Sequence, residues 1–152
     1  MFNEYVDSPI GHLGIFADND CILSIRLVGA AGHKERRNRV TADCRCQLEE
    51  YFGGNRGRFD LPVKLDGTDF QKSVWSYLLS IDYGSTCSYS EIADAIGRPG
   101  AQRAVGMANR LNCLPIIVPC HRVIGKNNQL VGYALGVERK EWLLRHEGAR
   151  LV

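Results

Sequence analysis

One segment of the chain sets a nucleophile beside a base: Pro119-Cys120-His121-Arg122-Val123. It follows the apolar run Ile116-Ile117-Val118, which places thiol and imidazole at the mouth of a buried segment rather than on a solvated loop. A thiol titrating near about 8.5 is mostly protonated at neutral pH, so nucleophilic work needs a base or a positive field close by. His121 is the local candidate. Neighbouring side chains on an extended strand point apart, so the imidazole reaches the sulfur only through a bend or a bridging water. A carboxylate must then orient the ring, and Glu147 could supply it, giving the nucleophile, base and orienter order of a relay. On spacing alone the pair reads first as packing, because Cys is among the most buried residue types and structural histidines are common.

The elements that must position these residues can be read from pattern. Phe2 to Val6, Leu13 to Ala17 and Cys21 to Leu27 alternate or are apolar, and turn residues separate them, which predicts an antiparallel meander. Ala30 to Arg39 reads as a loop and Asp43 to Phe52 as a helix stopped by Gly53-Gly54. Asn55 to Asp66, carrying Pro62, reads as an extended connection, with a boundary near Leu65. Thr68 and Gln71 form a capping-box pattern ahead of an apolar stripe of Phe70, Val74, Trp75, Leu78 and Leu79, expected to be core. Ser88 to Ile96, closed by Gly97, and Ala101 to Leu111 predict two helices around a tight turn, a helix-turn-helix. Glu138 to His146 predicts a terminal helix closed by Gly148. The fold class expected is α/β of the α+β kind: residues 1–64 form a small antiparallel sheet with a helix, and residues 65–152 form a mainly helical domain.

Composition narrows the function classes. The 152 residues are 45% hydrophobic, enough for a packed core. No apolar run approaches the length that spans a bilayer, and Phe2-Asn3-Glu4 is unlike a secretory leader, so the expectation is a cytoplasmic protein without a membrane partner. The six cysteines follow no regular framework and are expected as reduced thiols. Cys44-Arg-Cys46 lacks zinc-knuckle spacing, and neither a metal nor a cofactor is expected. Residues 1 to 97 carry ten basic and fourteen acidic side chains, residues 98 to 150 nine and three. That asymmetry favours an anionic partner on one face, nucleic acid first among them.

Pro119-Cys120-His121-Arg122-Val123 resembles the active-site motif of the O(6)-alkylguanine-DNA alkyltransferases. Ser88-Tyr89, Arg103-Ala104-Val105-Gly106, Asn112, Pro115, Gly132-Tyr133 and the run from Lys140 to Gly148 are similar to that family in register. Asp7-Ser8-Pro9-Ile10-Gly11 and Tyr51-Phe52-Gly53-Gly54 extend the resemblance, of bacterial type, over nearly the whole chain. It implies a ribonuclease-H-like first domain, a winged-helix-like second one, and single-turnover repair of double-stranded alkylated DNA by a protein that is monomeric in solution and able to assemble cooperatively on DNA.

The resemblance also implies roles. Cys120 accepts the alkyl group from O(6)-alkylguanine and from O(4)-alkylthymine, His121 takes its proton through water, Glu147 orients His121, and Asn112 braces the turn. Tyr89 bonds the flipped base and protonates the departing guanine. Carbonyls of Cys120 and Val123 accept from the exocyclic amine, and Tyr133, Ala134 and Leu135 line the pocket. Arg103 fills the gap left by the extruded base. Ala101, Gln102, Ala104, Gly106 and Arg110 belong to the same helix, laid in the minor groove. One departure stands out: Leu135 takes a place where the family usually has glycine, which predicts a narrowed pocket. Two other classes compete. A non-catalytic damage binder or helix-turn-helix regulator would not need Cys120, and would need base-reading side chains where this helix offers only Gln102, Arg103, Asn109 and Arg110. A cysteine hydrolase would turn over repeatedly.

Overall fold

The computed structural model describes residues 1–30 and 32–150. The chain divides into two compact units, Met1–Leu65 and Asp66–Val152.

In the first unit β1 (Phe2–Ser8), β2 (Gly11–Ala17) and β3 (Ile22–Leu27) form an antiparallel sheet in that order. Turn chemistry sets the register. Ser8 Oγ donates to the Gly11 carbonyl at 2.6 Å, and Asp18 accepts from the Asp20 and Cys21 amides, which holds its carboxyl below the ordinary value. Leu13, Ile15 and Ala17 of β2 point inward with Val6, Ile22 and Ile25. Against them lies α1 (Arg39–Phe52), whose buried Thr41, Cys44, Leu48 and Tyr51 share one helical face.

Two expectations for this unit need correction. Helix α1 starts at Arg39 rather than Asp43, because Asn38 caps the Thr41 amide and Thr41 returns a bond to the Asn38 N–H. The segment after α1 is more than a connection: the Pro62 carbonyl and Lys64 N–H bond Ile22, adding a parallel bridge at Val63. Cys44 is buried on α1 while Cys46 is exposed, as helical positions two apart must diverge. Burial, helped by Glu4, pushes the Cys44 thiol up to about 12 and makes it inert.

The second unit opens with α2 (Asp69–Leu78), capped by Thr68 and Gln71 as the sequence predicts. Val74, Trp75 and Leu78 are core. Leu79 is not: it caps the helix C-terminus, off the stripe, and is 45% exposed. Trp75 Nε1 donates to the Ala108 carbonyl at 2.8 Å and so ties α2 to the helix that carries Ala108. After β4 (Cys87–Ser88), Ser88 and Glu91 box the start of α3 (Tyr89–Ala95). The turn to α4 (Gln102–Arg110) passes through Gly97 and Gly100 at φ of 76° and 87°, conformations that side chains resist. Helices α3 and α4 are the expected helix-turn-helix. Val105, Ala108 and Asn109 of α4 are buried. Strand β5 (Val123–Ile124) pairs in parallel with β4, and α5 (Val137–His146) buries Lys140, Leu143 and Leu144. No helix among the described residues is long and apolar enough to cross a membrane.

Candidate active site

The reactive segment is a clamp built from the end of α4. Asn112 Oδ1 accepts the Leu114 N–H at 2.9 Å, and its Nδ2 lies 2.9 Å from the Val118 carbonyl and 3.1 Å from Cys120 Sγ. One carboxamide thus fixes both ends of the intervening loop. Ile116 within that loop holds φ at 76°, a conformation that β-branched residues avoid, and its burial holds it there. Pro119, at φ −80° and ψ 63°, forms an inverse γ-turn closed by the bond from Cys120 N–H to the Val118 carbonyl.

Cys120, His121 and Arg122 then form a single 3₁₀ turn rather than an extended strand, which supplies the bend that the sequence left open. Cys120 is 1% exposed. Burial pushes its thiol up to about 11, while the Asn112 hydrogen bond and the Lys140 charge pull the other way. The Cys120 carbonyl accepts from Asn109 Nδ2 at 3.2 Å and from the Val123 N–H, so both of its acceptor directions are in use.

His121 is fully buried, with Nε2 2.7 Å from Glu147 Oε2. Burial lowers its pKa against the opposing pull of Glu147, which leaves a neutral ring at pH 7. The carboxylate accepts only, so Nε2 carries the proton and Nδ1 presents a lone pair. Nδ1 is buried without a hydrogen-bond partner. Glu147, just past α5, also accepts from Arg122 Nε at 2.8 Å and Nη2 at 3.0 Å. Burial would raise its carboxyl, but the His121 and Arg122 hydrogen bonds outweigh that and hold it well below the carboxylate range. Arg122 Nη1 in turn donates to the Ile81 carbonyl at 2.6 Å, so the pair is anchored to the segment after α2.

Around this centre lie the other expected residues. Tyr89 Oη donates to the Val131 carbonyl at 3.2 Å, and burial raises its pKa, with the Cys120 charge acting the same way. Gly106 packs on the Tyr89 ring: a Cβ there would stand 3.7 Å from it. Tyr133 is buried edge-on to His121, with ring centroids 6.4 Å apart, and Val123 is buried. Ala134 is exposed and Leu135 half-buried in the turn before α5. On α4, Gln102, Arg103, Ala104 and Arg110 are exposed, and Ala101 is half-buried at its start. A cleft of about 970 Å³ opens here, with Ser88, Tyr89, Arg103, Ala104 and Lys126 among its walls. Cys120 is not among its lining residues, whereas Tyr89, on which the Cys120 charge acts, is.

Three participants were not singled out from the sequence as parts of the site. Arg122 completes the Glu147 pair. Lys140 is fully buried, with Nζ 2.8 Å from the Val131 carbonyl, and burial lowers its pKa to about 8 while the Cys120 charge supports its protonated form. Asn109, expected on the outward face of α4, turns inward. A signal existed for the last two, since Val105, Ala108, Asn109 and Asn112, and likewise Lys140, Leu143, Leu144 and Glu147, each follow a buried helical stripe. Among the described residues no three His, Cys, Asp or Glu side chains gather to hold a metal ion.

Comparison with known proteins bears on both units. Residues 1–65 match the family described as 6-O-methylguanine DNA methyltransferase, ribonuclease-like domain, and residues 69–149 its DNA binding domain. The chain is 41% identical to the methylated-DNA–protein-cysteine methyltransferase of Shigella flexneri, covering all of this chain and 98% of that one. It is 46% identical to the protein of that name from Mycobacterium tuberculosis H37Rv, over 95% of this chain and 91% of the other. The crystal structure of the M. tuberculosis enzyme in complex with DNA superposes with a TM-score of 0.88 at 43% identity, covering 97% of this chain and 93% of that one.

Proposed function

The chain belongs to the 6-O-methylguanine DNA methyltransferase family, and from that premise we propose that Cys120 is the cysteine onto which it moves an alkyl group from damaged DNA. Repair is by direct reversal, with the alkyl group ending on the protein rather than on a cofactor. The observation that carries the residue assignment is the buried Cys120 sulfur, 3.1 Å from an Asn112 amide and next in sequence to a buried histidine bound to Glu147.

In the step proposed, the thiol proton passes through a bridging water to His121 Nδ1, and Glu147 stabilises the imidazolium. The sulfur electron pair forms the bond to the alkyl carbon. The bond from that carbon to O6 breaks, its electron pair returns to the guanine ring, and Tyr89 Oη donates a proton to the ring and regains one from solvent. The thioether product has no leaving group that water can displace, so each molecule reacts once.

An alkylated oxygen inside a duplex cannot reach a buried sulfur, so the nucleotide must leave the stack, at a cost of a few kcal/mol. Arg103 is proposed to fill the gap, with Gln102, Ala104 and Arg110 on the same exposed face of α4 against the minor groove. Ala101 and Gly106 let that helix approach closely. Tyr133, Val123, Ala134 and Leu135 are proposed to wall the base pocket, which serves O(6)-alkylguanine and also O(4)-alkylthymine.

Intact mass after mixing with a duplex containing O(6)-methylguanine tests the assignment: a gain of one methyl per molecule is expected, located at Cys120 and absent from Cys120→Ala. Methylation at another residue, or repeated turnover, would sink it. Leu135 is expected to narrow the pocket, so that Leu135→Gly raises benzyl transfer relative to methyl transfer by roughly tenfold. Equal rates on the benzyl substrate in both proteins would reject that expectation.

A further inference from the structure

Helix α4 carries one large apolar side chain on its exposed face. Met107 is 57% exposed, more than any other large apolar residue among the described ones except the terminal Met1. It follows Arg103 by one helical turn and precedes Leu111, the C-cap residue, by another, and Leu111 is 49% exposed. Positions four apart are neighbours on a helix surface, so arginine, methionine and leucine form one row, with the exposed Arg110 beside it. Ala104, three residues before Met107 on the same face, is too small to shield it. A single exposed hydrophobic residue is ordinary; an apolar pair a turn apart, set among arginines, is a surface with a chemistry of its own.

Charge selects what this row meets. Between Asp94 and Glu138 the chain has no acidic side chain and five basic ones, Arg98, Arg103, Arg110, Arg122 and Lys126. Arg122 faces Glu147 inside the protein, and the other four are exposed. Such a face attracts a polyanion, and an apolar side chain between its arginines suits a minor groove, where proteins commonly place methionine, leucine or phenylalanine. The inference rests on the reading that lays α4 in that groove. A helix rises about 1.5 Å per residue and a duplex about 3.4 Å per base pair, so Met107 falls about 6 Å, or about two base pairs, from the gap that Arg103 fills. We propose that Met107 packs on the minor-groove edge of the base pair two steps from the extruded nucleotide and makes that pair part of what the protein recognises. A guanine there puts its exocyclic amine into the groove, whereas adenine and thymine present only acceptors. The thioether is a poor acceptor and displaces the water that the amine would bond, so a G·C pair is penalised and a pair lacking the amine is preferred.

The test compares methyl transfer from O(6)-methylguanine duplexes that carry either G·C or inosine·C at the second pair on each side of the lesion, since inosine lacks only the minor-groove amine. At subsaturating DNA the wild-type protein is expected to react roughly fivefold faster with inosine·C on one of the two sides. Met107→Ala is expected to bring that ratio to one. Met107→Gln, of similar length but with an acceptor for the amine, is expected to abolish or reverse the preference. A ratio taken within one variant cancels any loss of folded protein, and a preference that belongs to the DNA alone survives in every variant. A wild-type ratio near one on both sides, or a wild-type preference kept in Met107→Ala or Met107→Gln, overturns the proposal. Arg103→Ala and Arg110→Ala test the reading beneath it: each is expected to weaken duplex binding and flatten its salt dependence. Affinity and salt dependence unmoved in both would overturn the docking of α4 itself, whereas weakened binding with a wild-type ratio near one would overturn the role of Met107 alone.

Discussion

Glu147→Gln is expected to slow methyl transfer at least about a hundredfold and to remove roughly 3–5 kcal/mol of stability, because it strips the charge from a buried group shared by the Arg122 cation and by the imidazolium that His121 becomes. Arg122 loses its carboxylate and remains buried with the Ile81 carbonyl, the Tyr83 ring and a neutral amide as partners. His121 loses the anion that orients it and stabilises its protonated form. Single-turnover rates and urea melts measure the two effects separately. A rate within threefold of wild type would exclude Glu147 from the relay. The pH dependence has a defined sign. The folded carboxyl of Glu147 is depressed, so its contribution is complete above the unfolded carboxylate pKa of about 4.3 and is lost as pH falls below it. His121 is also depressed in the folded state, so acid below about 6.5 protonates the unfolded chain first and lowers stability further. The variant should therefore show a flatter acid limb below pH of about 4, while the His121 contribution persists.

The second large effect is expected at Lys140. Lys140→Met removes the cation that favours the Cys120 thiolate, so the thiol should titrate above its present value of about 11. Each unit of that rise lowers the thiolate fraction tenfold, and a fall in neutral-pH transfer of at least about tenfold is expected, with the pH profile displaced upwards. Stability should move differently. The folded lysine titrates near 8, below its unfolded value of about 10.4, so the wild type gains stability as pH rises between the two. Methionine fills similar volume without a buried charge, and the Val131 carbonyl keeps its bond from Tyr89 Oη. The melting temperature at pH 7 is expected to hold or rise. Slower transfer with a lower melting temperature and an undisplaced pH profile would assign Lys140 to packing alone.

The parts of this molecule legible in its sequence are those whose information is local. The capping box at Thr68, strand alternation in the meander and the glycine-bounded turn between α3 and α4 all state their geometry within a few residues. What escaped is set by contacts distant in sequence. The early start of α1 depends on reading Asn38 and Thr41 as a reciprocal pair inside a charged stretch. The bridge at Val63 depends on Ile22, which no local pattern connects to Pro62. At the site, Cys120, His121 and Glu147 were visible through the resemblance of their segments to a known family, since residue type and spacing alone favour packing. Arg122, Lys140 and Asn109 were not, because a polar side chain on a helix or beside a motif is ordinarily solvated, and only tertiary packing turns it inward. Their positions on the buried stripes of α4 and α5 were the available clue.

The carboxylate that orients His121 follows α5, well beyond the cysteine in the chain. Cleavage between the two would leave a fragment that still contains every thiol of the intact chain. Counting reactive sulfhydryls would then report a full complement of acceptors in a sample whose repair capacity had gone. For any preparation of this protein, active-site titration with alkylated DNA is the measure of competent molecules, and a thiol reagent is not.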